Sequence, residues 1–120
     1  MAGTVDHPIT LETDPQRVRV TFGAIVVAES TRALLLREAN CPPVAYIPRQ
    51  DANMALLIRT DRKTRCPYKG EASYYSVRAH GRLAENAVWS YEQPLADVAE
   101  IAGHLAFYPD RIDGIERSPP

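Results

Sequence analysis

Arg17-Val18-Arg19-Val20-Thr21-Phe22-Gly23-Ala24-Ile25-Val26-Val27 is the stretch that decides the fold. Val18, Val20 and Phe22 fall on one side of a two-residue period, and Arg17, Arg19 and Thr21 fall on the other. That is the pattern of a strand with one buried and one wet face. Gly23 interrupts it, and the apolar residues that follow read as a continuation of one bent strand or as a second strand joined through a bulge.

The segments on either side repeat the theme. Arg32-Ala33-Leu34-Leu35-Leu36-Arg37 follows at a spacing that suits an antiparallel hairpin, and Pro42 and Pro43 close it. Val44-Ala45-Tyr46-Ile47 is a short extended piece ended by Pro48. Asp51 then stands as an N-cap for a short helix over Ala52 to Ile58. Ala72 to Arg78 and Ala87 to Tyr91 are rich in strand formers, with turns expected at His80-Gly81 and Glu85-Asn86. Pro94 to Glu100 reads as a loop or single helical turn, Ile101 to Tyr108 as an alternating segment, and Ile112 to Ile115 as a last short strand or turn.

These segments predict a mainly β fold on the border of α+β, a compact curled antiparallel sheet or small barrel with one or two short helices. Residues 1–16 carry Pro8, Asp14 and Pro15 around a weak apolar patch and read as a lead-in segment. Residues 17–117 form the expected single compact domain, and 118–120 a tail.

The chain has 120 residues, with 14 basic and 15 acidic side chains for a formal charge of -1. No global field draws in nucleic acid or an anionic membrane, so any anion binding is expected to be local. The first eight residues have neither a basic start nor an apolar run, and nowhere do the roughly 20 apolar residues of a membrane span occur. The expectation is a soluble cytoplasmic protein. Its two cysteines, Cys41 and Cys66, are expected to be free thiols, since a domain of this size needs no bridge.

Chemistry concentrates in Thr64-Arg65-Cys66-Pro67-Tyr68-Lys69-Gly70-Glu71-Ala72. Pro67 biases Cys66 toward an extended backbone, and Gly70 offers a positive φ, so the Cys, Tyr and Lys side chains fan around one bend. The reading that asks least of these residues is a pocket for a small anionic or ring-bearing molecule. Lys69 neutralises its charge, Arg49 and Arg65 steer it, the Gly70 turn offers backbone donors, and Tyr74 and Trp89 shape the wall. Asp51 either caps its helix or holds Lys69.

A thiol-enzyme reading, a metal site, a nucleic-acid surface and an inert module compete with it. Cys66 could be a nucleophile favoured by Arg65 and Lys69 and served by His80 or His104, whereas a cysteine before proline is commonly a packing residue. Cys41, Cys66, His80 and His104 are too isolated for the paired spacing of a structural zinc site. No metal or cofactor is predicted. The cations around Asp61, from Arg59 to Arg65, resemble a solvated connector more than a nucleic-acid surface. His7 lies in the lead-in and reads as a bystander. If the aromatics are simply core, the domain is an interaction or structural module without a ligand.

Taken in order, Tyr46-Ile47-Pro48, Asp51, the Cys66-Pro67-Tyr68-Lys69-Gly70-Glu71-Ala72 run with Tyr74-Tyr75, the Trp89-x-Tyr91-x-x-Pro94 stretch and Ala106-Phe107-Tyr108 resemble domain-of-unknown-function family 427 over about residues 17–117. The resemblance implies a compact β-rich fold. The family sometimes carries a nucleotidyltransferase label, which implies no residue roles here. The chain itself has no Gly-Ser dipeptide, Asp-x-Asp pair or phosphate loop of the kind such enzymes use.

Overall fold

A computed structural model describes residues 2–120. Its strands are β1 (Ala2–Gly3), β2 (Pro8–Thr13), β3 (Arg17–Phe22), β4 (Ile25–Ser30), β5 (Leu34–Glu38), β6 (Val44–Tyr46), β7 (Leu57–Cys66), β8 (Gly70–Ala79), β9 (Arg82–Ser90), β10 (Ala106–Phe107) and β11 (Gly114–Ser118). They form three antiparallel sheets, ordered β1-β2-β5-β6, β10-β9-β8-β7 and β11-β3-β4. The chain is mainly β as its sequence predicts, but the sheets stay open and no barrel closes among the described residues. No described helix is long and apolar enough to cross a membrane.

The deciding stretch folds as a hairpin rather than as one bent strand. Val18, Val20 and Phe22 are buried, each side chain contributing about 1.5–3 kcal/mol. Gly23 (φ 59°) and Ala24 (φ 62°) then reverse the chain so that Phe22 faces Ile25. Positive φ at both central residues is what a two-residue hairpin loop needs to match the strand twist. His80 (φ 52°) and Gly81 (φ 75°) build the same kind of loop between β8 and β9, as expected at that dipeptide. Glu85 and Asn86, by contrast, do not turn. They lie inside β9, where Asn86 (φ 50°) marks a register shift against β8.

Four further expectations give way to tertiary pairing. The triple leucine strand does not return to β4; β5 lies between β2 and β6, with Ile9 opposite Glu38 and Leu34 opposite Tyr46. The lead-in is thereby woven into a sheet, and its Ile9 is wholly buried. In place of the helix over 52–58 there are two 3₁₀ turns, Arg49–Asp51 and Met54–Leu56, and Leu57 already begins β7. Asn53, not Asp51, caps the second, accepting from the Ala55 amide at 3.2 Å. The cationic segment 59–65 is strand rather than connector. Of 101–108, only Ala106 and Phe107 pair as a strand, against Trp89 and Val88.

The β7-β8-β9 meander is the central layer. Tyr75 and Val77 of β8 join Val18, Val20 and Phe22 in one core, whereas Ala72 and Tyr74, of opposite parity, join Ile9, Leu36 and Tyr46 in another. A strand serving two cores is apolar on both faces, which explains why almost all of β8 is buried. The seam between this layer and the β2-β5-β6 sheet holds the candidate site.

Candidate functional site

The Cys66–Gly70 turn closes the β7–β8 hairpin, with Cys66 opposite Gly70 and the Lys69 amide donating to the Cys66 carbonyl at 3.3 Å. Gly70 sits at φ 111°, a conformation that disfavours any side chain. That backbone turns Lys69 inward, where it is only 7% exposed. A buried ammonium requires a partner, and Lys69 finds it in Glu38 at the end of β5. The other oxygen of Glu38 meets His7 Nε2 at 2.6 Å. The His7 ring in turn stacks on Tyr68, with centroids 4.0 Å apart and planes 9° from parallel.

This imidazole–carboxylate–ammonium chain closes one end of a cavity of about 220 Å³ between the two sheets, walled by Leu36, Tyr46, Tyr74, Trp89, Tyr91 and Tyr108. Trp89 Nε1 donates to the Tyr46 hydroxyl at 3.2 Å, and the two rings meet edge to face. Lys69 Nζ lies 5.8 Å from the Tyr91 ring centroid, within reach of a cation–π attraction. Exposed Cys41 stands on the cavity lining.

Titration within the cluster follows from these contacts. Burial by itself raises the Glu38 carboxyl, but the hydrogen bonds from Lys69 and His7 and their charges outweigh it and hold Glu38 below its ordinary range. Burial pushes the Tyr46 and Tyr91 hydroxyls far up. Tyr74 goes the other way: burial opposes ionisation, yet its bonds with Thr64, at 2.8 Å, and with Tyr108 and Arg62 leave it below the usual phenol value. Tyr108, half-buried and bonded to Tyr74, is pushed up to about 12, its partial burial being the larger cause.

The structure divides the sequence-derived site residues among three places. Lys69, Tyr74 and Trp89 share the aromatic cavity. Arg65 and Gly70 line an open groove on the other face of the meander. Arg49 is not on the lining of that groove but joins it through Glu92, to which it donates at 3.2 Å, and it also donates to the Tyr75 hydroxyl at 3.1 Å and the Gly103 carbonyl at 3.0 Å. Asp51 neither caps a helix of any length nor reaches Lys69. It accepts from Ser30 at 2.7 Å and from Arg32 at 3.0 Å, and these bonds, Arg32 foremost, hold its carboxyl down.

Cys66 is half-buried and packs against the second core. His80 lies beyond the far end of β8, roughly 30 Å from the Cys66 turn at strand rise, so the two form no dyad. The Nδ1 atom of His104 faces the Ala102 carbonyl. The imidazole at the turn is instead His7, placed there because Pro8–Thr13 pairs with β5. The alternation of Ile9 and Leu11 beside it was the available signal.

Residues 10–118 match the model of a family described as domain of unknown function (DUF427). The chain belongs to that family. No curated protein matches it significantly. The matched span begins within β2, taking in Thr10 to Thr13, while His7, Pro8 and Ile9 lie just before it.

Proposed function

We propose that this DUF427 chain is a binding domain for a small ring-bearing molecule, received in the aromatic cavity with its polar edge toward Lys69 and Glu38. The observation that carries this is the cavity itself, whose aromatic walls end on buried charge. Such a shape, apolar with a few convergent polar groups, suits a small ligand. At about 220 Å³ it admits a molecule of one or two rings. Because Glu38 already neutralises Lys69, a bare anion gains little there. Lys69 carries three donors, so it can still direct an N–H toward a ring nitrogen or carbonyl.

Trp89 is the chain's one tryptophan and lines the cavity, so its emission reports occupancy. Titration with nicotinamide, benzoate and adenosine should quench it saturably with at least one of the three, and that ligand should slow alkylation of Cys41 in a Cys66→Ala background. Val44→Phe, placed on the lining, should abolish the quench while the thermal midpoint stays within a few degrees. No saturable quench from any probe, or equal quenching in V44F, overturns the reading.

A further inference from the structure

The register of β7 on β8 slips between Arg59 and Lys63. Arg59 stands opposite Tyr75, Lys63 opposite Ser73 and Arg65 opposite Glu71. Four steps along β7 therefore cover two along β8, and the bulge brings three cations to successive positions on one face. Same-face neighbours on a strand are about 6.8 Å apart, close enough for flexible Lys and Arg side chains to converge on one group. They line an open groove of about 510 Å³ beside Ser73, Glu71 and Gln93.

The charges in that groove are unequally satisfied. Glu92 accepts from Arg59 at 2.8 Å, Tyr75 at 2.9 Å and Arg49 at 3.2 Å. Burial raises its carboxyl, but these partners outweigh it and keep Glu92 ionised and occupied. Lys63 has only a 3.4 Å contact with Ser73 and a 3.6 Å approach to Glu71. Arg65 makes no ion pair among the described residues. The groove thus offers an unpaired guanidinium, a loosely held ammonium and a carboxylate with free lone pairs.

That combination is selective. We propose that the groove binds a phosphate group that retains a P–O–H: Arg65 and Lys63 take the charged oxygens, and Glu71 accepts the hydroxyl proton's hydrogen bond. Sulfate, which has no proton to give at neutral pH, meets Glu71 as a like charge. The inference is independent of the aromatic cavity, which opens on the opposite face of the meander.

Isothermal titration of the full chain with inorganic phosphate and with sulfate, at pH 7 and matched ionic strength, tests it. Phosphate should bind about tenfold or more tightly than sulfate, the worth of one charge-assisted hydrogen bond. Arg65→Gln or Lys63→Gln should weaken phosphate by a similar factor, and Glu71→Gln should abolish the preference over sulfate. Arg82→Gln, a cation paired with Asp113 elsewhere on the surface, should change nothing, and V44F should leave phosphate binding intact. Equal affinity for the two anions, no heat with phosphate, or an equal loss in R82Q would show general charge attraction at most and overturn the site.

Discussion

Glu38 decides what Lys69 can do. Read along the chain, Lys69 is a turn cation free to meet a ligand; folded, it is held by a carboxylate 31 residues away. The sequence carries no local sign of that pairing, because it depends on β5 choosing β2 and β6 over β4. Since the Glu38 carboxyl is held below its ordinary value of 4.5, its contribution is present above that value and is lost as pH falls through the lower folded one. Glu38→Gln should therefore cost about 2 kcal/mol at pH 7, where it strands a buried ammonium, His7 being open enough to solvent to soften the loss. Urea unfolding at pH 7, 5 and 3 should show the gap between wild type and E38Q closing at the acid end. A gap as wide at pH 3 as at pH 7 would mean that the carboxylate's charge is not what stabilises the turn.

Hairpins account for most of what was legible at the level of elements. The two-residue alternation of Arg17 to Phe22 and the His80-Gly81 dipeptide are local signals, and local signals suffice where a turn joins adjacent strands. The segment 51–58 was not legible in this way. Its residues favour helix by composition, but Asn53 donates its amide to the Val27 carbonyl and Leu57 is drawn into β7, leaving room between those two residues for the single 3₁₀ turn Met54–Leu56. Gly70 is the clearest case of sequence and structure agreeing. At φ 111° an added Cβ would come no closer than 3.5 Å to Leu95 N and Pro94 Cα, an ordinary contact, so the cost of Gly70→Ala is backbone strain rather than collision. Denaturant unfolding should find G70A less stable by about 1–2 kcal/mol. A neutral substitution would show that the turn relaxes to a negative φ, and the inward aim of Lys69 would then need another cause.

For the whole molecule the question is whether residues before Arg17 belong to the cooperative unit. The sequence sets them apart because Pro8 and Pro15 bracket too few apolar residues to form a strand with a partner of their own. Their partner, β5, comes later in the chain. Ile9 is wholly buried in the core that walls the aromatic cavity. Beyond β2, the buried Asp14 accepts from Arg117 of β11 at 2.9 Å and from the Gln16 amide at 3.0 Å, so both ends of the chain are tied together. Burial raises the Asp14 carboxyl, and those bonds more than reverse it. A side chain so placed leaves a cavity when shortened, and Ile9→Ala should cost about 2–4 kcal/mol. If β2 folds with the rest, Trp89 emission and far-ultraviolet dichroism will shift together to a lower midpoint in one transition. A lead-in that detaches on its own predicts instead an unchanged Trp89 midpoint. The cavity makes the difference consequential, because losing β2 would release His7 from Glu38 and leave the Lys69 pair open to water, so I9A should also weaken any ligand that quenches Trp89.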